Sequence, residues 1–223
     1  MKKVSSLRNK TLYHLENYLI EYGLEVVGHF KSDDNDKAFL GVSTVILLGP
    51  SEPLFWKIFC KSIEYIDGKE NPLDRWSERV ITKISKKIDG KAFFPFGEHV
   101  WPFYSWAIKC VDINTSPVKL LVHNKKGLFI SFRGALGIPD IIENEKIENS
   151  CVNCHKPCLT ACPVNALNEN GYDVAKCKSH ITSQSGQECQ SGCIVRKSCP
   201  IGSDLRLPEQ SNFHMKSFVK DLV

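Results

Sequence analysis

Apolar residues recur along the first half of the chain with two distinct periods. Leu12, Leu15, Leu19 and Tyr22 follow one another at steps of three and four, which predicts an amphipathic helix closed by Gly23. Leu24–Gly28 and Thr44–Leu48 read as strands on either side of the polar turn Ser32-Asp33-Asp34-Asn35-Asp36. The second run is apolar on both faces, the pattern of a strand inside a sheet covered by helices. Gly49-Pro50-Ser51 ends it, and Pro53 to about Ile66 reads as helix. Leu73, Trp76, Val80, Ile84 and Ile88 predict a longer helix, with Pro72 at its start and Gly90 after its end. Val118–His123 and Leu128–Phe132 read as a hairpin about Asn124-Lys125-Lys126-Gly127. Arg133 to Gly137 then leads to Pro139, which starts a short helix ending near Ile147.

Residues 92 to 107 are crowded with aromatics and carry two prolines, Pro95 and Pro102. Such a segment is either a covering layer of the core or one wall of a cofactor or substrate pocket. If it is a pocket wall, the hairpin through Arg133 would line the pocket with it, and His99, His123 and Arg133 would be the candidate polar groups. After Glu148-Asn149-Ser150 the aromatics nearly vanish and cysteines begin. The expected organisation is therefore a mixed α/β (α+β) domain over 1–148, a small cysteine-rich domain over 149–207 and a C-terminal tail over 208–223. The tail carries Phe213, Met215, Phe218 and Leu222, which suit either a docked helix or a frayed end.

At 223 residues, 42% hydrophobic and 24% charged, the chain can bury a core without covalent staples. Disordered, collagen-like and coiled-coil classes are excluded. A net charge of +4 is too weak to argue for a nucleic-acid partner. No apolar run approaches the roughly 20 residues that span a bilayer, and none follows the basic start as a signal-peptide core would. The chain therefore reads as cytoplasmic.

Ten cysteines in such a chain are better metal ligands or redox groups than disulfides. Cys60 and Cys110 stand alone and read as small buried hydrophobes. The other eight form two groups, Cys151-x2-Cys154-x3-Cys158-x3-Cys162-Pro163 and Cys177-x11-Cys189-x3-Cys193-x5-Cys199-Pro200. A cubane cluster needs four thiolates converging on a small volume. A short loop supplies three of them, and the fourth comes from elsewhere in the chain. In two-cluster ferredoxins the cysteine before proline ligates the other cluster. Applied here, Cys151, Cys154, Cys158 and Cys199 would hold one [4Fe-4S] cluster and Cys162, Cys177, Cys189 and Cys193 the other, with no ligand left over. The spacing departs from the bacterial ferredoxin run, since three residues rather than two separate Cys154 from Cys158. Two four-cysteine zinc sites would use the same eight thiolates, but only Cys151 and Cys154 have zinc-knuckle spacing.

The segments CVNCHKPCLTACPVNAL, GYDVAKC and GCIVRKSCP resemble the C-terminal ferredoxin module of the epoxyqueuosine reductase family. The resemblance implies that Cys151, Cys154 and Cys158 are the first three ligands, Cys162 the crossing ligand, Cys177 the lone one, and Cys193 and Cys199 the last two. The family has a further cysteine between those last two, and Cys189 would replace it from upstream. The stretch LGPSEPLFWKIFCKSIEYIDGKENPLDRWSERVI is similar to the nitroreductase-like, flavin-reductase-like domains that process cobalamin, mainly through Asn71-Pro72-Leu73-Asp74-Arg75-Trp76. Those domains are related to the corrinoid-binding cores of epoxyqueuosine reductases and reductive dehalogenases.

Together these readings imply an iron-sulfur oxidoreductase in which two [4Fe-4S] clusters relay electrons to a cofactor or substrate on the first domain, cobalamin being the cofactor the resemblance suggests. No catalytic residue follows from the sequence. The alternative is a non-enzymatic dicluster electron carrier whose first domain docks a partner. Either reading requires a redox partner protein and neither a membrane nor a nucleic acid.

Overall fold

The computed structural model describes residues 12–33, 39–143 and 147–220. The chain divides into two compact units: Met1–Asp112 with Ser131–Ile147, and Ile113–Ile130 with Glu148–Val223. The second unit thus takes the continuous stretch from Glu148 together with an insertion from the middle of the first.

In the first unit, helix α1 covers 12–19 and tightens into a 3-10 turn at Ile20–Tyr22. Gly23 ends it with φ 65°, its N–H bonded to Ile20 O. A Cβ at Gly23 would lie 2.6 Å from the Phe55 Cα, so both the backbone angle and the close approach require glycine. Strand β1 (Leu24–Lys31) follows, then β2 (Thr44–Pro50), α2 (Leu54–Phe59), α3 (Ile63–Ile66), α4 (Pro72–Lys87), β3 (Lys91–Phe93) and α5 (Phe103–Ile108). The insertion contributes β4 (Ile113–Thr115) and β5 (Leu121–His123), and the chain returns to the first unit in β6 (Gly134–Ile138).

The first unit is built on one sheet of order β1-β2-β6-β3, antiparallel at every step. All seven residues of β2 are buried, as its two-faced apolar pattern predicts. The strand beside it, β6, falls where the sequence reads a connector leading to a helix. Gly134-Ala135-Leu136-Gly137-Ile138 has almost no strand propensity, and its glycines resemble turn residues. Their missing side chains are what the position needs: a Cβ at Gly134 would meet Ile81 Cδ1 at 2.6 Å, and one at Gly137 would meet Val42 Cγ2 at 2.8 Å. No helix follows Pro139 among the described residues, and 144–146 of the expected helix lie outside them.

The expected helix from Pro53 to Ile66 is two short ones. Ser62 breaks it by adopting an extended conformation and accepting the Tyr65 N–H on its Oγ at 3.3 Å, an N-cap that starts α3 afresh. Helix α4 matches its expected span and turns Trp76, Val80, Ile81 and Ile84 inward. Trp76 meets Phe55 and Phe59 edge-on. Glu64 of α3, only 5% exposed, is held by both Nε and Nη2 of Arg79. The guanidinium beside it keeps the Glu64 carboxyl below its ordinary range, although burial opposes this.

The aromatic segment is partly core, with Phe94, Phe96 and Trp101 half-buried and Tyr104 exposed. Phe93, Phe103 and Trp106 are buried and meet one another, Phe30 and Phe39 as tilted or edge-on rings. Among the described residues no helix is long and apolar enough to cross a membrane.

Candidate metal centre

The second unit starts from the inserted hairpin. Strands β4 and β5 pair antiparallel, Ile113 opposite His123 and Thr115 opposite Leu121. The predicted hairpin therefore has the wrong partner: β5 pairs back to 113–115, and 128–132 forms no strand. The chain after β5 is instead a tight turn in which His123 and Gly127 exchange backbone hydrogen bonds of 3.0 and 2.8 Å. His123 Nδ1 accepts from the Lys125 and Lys126 N–H groups at 3.0 and 3.1 Å, so this buried imidazole locks the turn. His99 is exposed and belongs, with Arg133, to the first unit.

The turn lies against the last cysteine of the chain. Gly127 has φ 54°, and a Cβ there would fall on Ile201 O and within 2.8 Å of Cys199 Sγ. Arg196 donates to Leu128 O, and Arg206 Nη2 donates to Phe129 O at 2.9 Å. Val118, Val122 and Leu128 of the insertion share one buried cluster with Cys158, Leu167, Val195 and Cys199. The hairpin is thus part of the cysteine unit's core.

Beyond Glu148 the unit contains the short ribbon β7 (Leu167–Asn168) and β8 (Gly171–Tyr172), then α6 (Val174–Thr182), α7 (Gln187–Gln190), α8 (Ile194–Lys197) and α9 (Pro208–Lys220). The tail docks as a helix: α9 packs on α6 and α7, Asn212 Nδ2 donates to Gln190 O at 3.2 Å, and Phe218 stacks near Tyr172.

Cys151, Cys154, Cys158 and Cys199 line a single pocket. An Asx turn opens the loop, Asn149 Oδ1 accepting the Cys151 N–H at 2.9 Å. Lys156, in the left-handed region at φ 56°, turns the chain so that its own N–H points to Cys154 Sγ at 3.3 Å and Pro157–Leu159 forms a 3-10 turn. Burial pushes the Cys151 thiol up, and the neighbouring charges of Cys154, Cys199 and Cys158 push it further. Cys158 is raised by burial, then by Cys199 and Cys154. Pro117, Val122, Leu128 and Pro157 complete an apolar wall, with Ser116 among them.

The remaining thiols sense one another as a second set. Ala166 N–H donates to Cys162 Sγ at 3.2 Å. Asp173 caps α6 by accepting the Lys176 N–H at 2.9 Å, which orients the helix bearing Cys177. Burial raises Cys177, a hydrogen bond from Tyr172 opposes this, and Cys193 and Cys162 raise it again. Burial first, then Cys193, Cys177 and Cys162, push Cys189 up to about 11. Cys193 is the neighbouring thiol that weighs most on Cys177 and Cys189, and Cys154 and Cys199 are those that weigh most on Cys151 and Cys158.

The donor chemistry of the first pocket fits thiolate-ligated metal: four cysteines line it, and the Lys156 N–H is aimed at the sulfur of one of them. Among the described residues no three Cys, His, Asp or Glu side chains converge as a single-ion site. A shared pocket brings together Cys151, Cys154, Cys158 and Cys199. All ten cysteines are free thiols. Cys110 is buried, donates to Trp106 O at 3.6 Å and is pushed by burial up to about 12, as befits an inert packing thiol.

The motif Asn71–Trp76 serves packing. Arg75 forks onto Asp67 at 2.8 and 2.7 Å and bonds the Glu64 and Glu70 carbonyls, while Trp76 enters the core. Sequence reasoning missed Ser116 and Gly127. Both act through contacts far along the chain, and no spacing rule announces such contacts.

The chain thus combines a mixed helix-and-sheet unit with a cysteine-rich unit in which four thiols line one pocket, a candidate metal centre. No protein-family model matches the chain. It resembles epoxyqueuosine reductases: the enzyme of Aliivibrio fischeri is 31% identical over 84 residues, 32% of this chain and 22% of that protein. The matched part thus spans 22% of the relative's own length. A selenomethionine-labelled epoxyqueuosine reductase crystal structure aligns with 92% of this chain and 69% of its own, at 17% identity and a TM-score of 0.48.

Proposed function

We propose that the chain is an iron-sulfur redox protein whose second unit, ferredoxin-like in its ligand pattern, holds two [4Fe-4S] clusters. Cys151, Cys154, Cys158 and Cys199 would hold one, and Cys162, Cys177, Cys189 and Cys193 the other. The observation that carries this reading is geometric: Cys151, Cys154 and Cys158 of one short loop share a pocket with the distant Cys199, the cysteine that the crossed ferredoxin arrangement would bring there. Such clusters supply one-electron transfer. The chain's part is to neutralise thiolate charge with the Lys156 and Ala166 N–H groups, exclude water with Val122 and Leu128, and cross-link its loops through Cys199 and Cys162. The ten free thiols suit a reducing, cytoplasmic compartment.

The resemblance to epoxyqueuosine reductases supports a reductase that delivers electrons to a cofactor or substrate held by the first unit, cobalamin being the cofactor to test. One observation favours a second reading, a non-enzymatic electron carrier. Phe93, Phe103 and Trp106, three of the seven aromatics of the segment expected to wall a cofactor pocket, are spent on the core. The second unit has eleven Lys and Arg against seven Asp and Glu, whereas the first is balanced, so an acidic redox partner suits either reading.

Adding cob(II)alamin to anaerobically prepared protein separates the two. A changed axial-ligand signature in its paramagnetic resonance spectrum supports the corrinoid reductase. An unchanged cobalamin spectrum beside reversible bleaching of cluster absorbance supports the carrier. The lack of any sulfur-to-iron absorbance in such a preparation overturns both.

A further inference from the structure

The pocket lined by the first thiol set has in its wall a buried hydroxyl that the fold leaves unused. Ser116 follows β4 in the inserted hairpin and is 4% exposed. Its backbone is fully committed: its N–H donates to Leu120 O at 2.8 Å, and its carbonyl accepts from the Lys119 N–H at 2.9 Å. Its Oγ has no hydrogen-bond partner among the described residues. A buried hydroxyl without a partner is unfavourable, and native folds seldom retain one unless something else satisfies it. Ser116 lines the same pocket as Cys151, Cys154, Cys158 and Cys199, and it is the sole hydroxyl in that lining. The other non-thiol wall groups from the hairpin, Pro117, Val122 and Leu128, offer sulfur no donor.

The loop that carries Ser116 is held in place against the pocket. The Lys119 turn, in the left-handed region at φ 63°, closes the loop on both sides of it. Val118 and Val122 anchor that loop in the cluster that contains Cys158 and Cys199.

We infer that the Ser116 hydroxyl is a donor to sulfur of the iron-sulfur cluster held by the first thiol set, a positioning residue supplied by the insertion that raises this cluster's reduction potential. The inference rests on the two-cluster reading. A hydrogen bond to cluster sulfur favours the reduced, more negative state, and such bonds are among the factors that set cluster potentials. The surrounding apolar wall strengthens the effect, because a donor in a dry site is not diluted by water.

The test is an anaerobic redox titration of the full chain, followed by visible absorbance and paramagnetic resonance, with Ser116→Ala and Ser116→Thr beside the wild type. Ser116→Ala is expected to keep its full iron and to lower one of two midpoint potentials, leaving the other unmoved. The expected shift is about tenfold in the ratio of reduced to oxidised cluster at fixed potential, about 59 mV for one electron. Ser116→Thr keeps the hydroxyl and is expected to titrate as the wild type. Full iron with both potentials unmoved in Ser116→Ala overturns the inference, as does loss of iron, which would make the hydroxyl a structural support. Should Ser116→Ala not fold, Ser116→Cys, a weaker donor, must shift the same potential in the same direction. A wild type that binds fewer than two clusters overturns the cluster reading itself, which the iron assay of the same sample distinguishes.

Discussion

The surroundings of a thiol decide whether it is a ligand or a filler, and Cys110 differs in this from four thiols of the cysteine-rich unit. Cys110 sits in an apolar site that keeps its proton on, whereas Cys151, Cys158, Cys177 and Cys189 are raised by burial and also by one another. The consequence for Cys110 is a definite pH dependence. Its thiol titrates at about 12 in the fold against an ordinary 9.0, so the unfolded chain releases that proton first. Its contribution to stability is intact below pH 9 and is lost as pH rises through about 12. At pH 8 the native protein should leave Cys110 unmodified by iodoacetamide, and mild denaturation should expose it, both read by peptide mass spectrometry. Labelling of Cys110 in the native protein at the rate of an unfolded control contradicts its placement. The buried packing role of Cys110 was legible in the sequence, whereas Cys60, expected to be buried as well, is only half-buried at the end of α2. The roles of Ser116 and Gly127 were not legible, because a pocket wall drawn from residues far apart in the chain leaves no local pattern.

Among the elements, those with a periodic apolar face were legible. Helix α4 and strand β2 lie where their spacings put them. The failures have one physical cause, local signals overridden by tertiary context. Strand β6 is made of small residues because α4 and β3 press on it, so its sequence looks like a turn. Strand β5 takes 113–115 as partner because the Asn124–Gly127 turn is closed by His123 and commits its far side to Cys199 and Ile201. Two predictions belong here. Trp76, 2% exposed, joins α4 to Phe55 and Phe59 of α2, so Trp76→Ala should cost about 3–5 kcal/mol in urea unfolding. A loss below 1 kcal/mol, on the order of a surface change, would show that α4 is not anchored there. Gly127→Ala would press a methyl against Cys199 Sγ and Ile201 O from a backbone angle that disfavours side chains. It should drop the iron content from about eight to about four per chain, as expected if one of two four-iron clusters is lost. Unchanged iron would show that the turn does not bear on Cys199.

At the scale of the molecule, the chain is a sheet-and-helix unit interrupted by a hairpin that belongs to the cysteine-rich unit. Composition alone signals the start of the cysteine block near Glu148, but it could not reveal that 113–130 joins it. That insertion gives the first thiol set its apolar wall, its one hydroxyl and the backbone that abuts Cys199. The net charge of the chain also resides in this unit. The central claim is that eight of the ten thiols bind two clusters in crossed sets. Iron and acid-labile sulfide per chain, assayed on protein purified without oxygen, test it most directly. The account predicts about eight of each, two full cubanes. About four or fewer of each in a fully anaerobic preparation would contradict it.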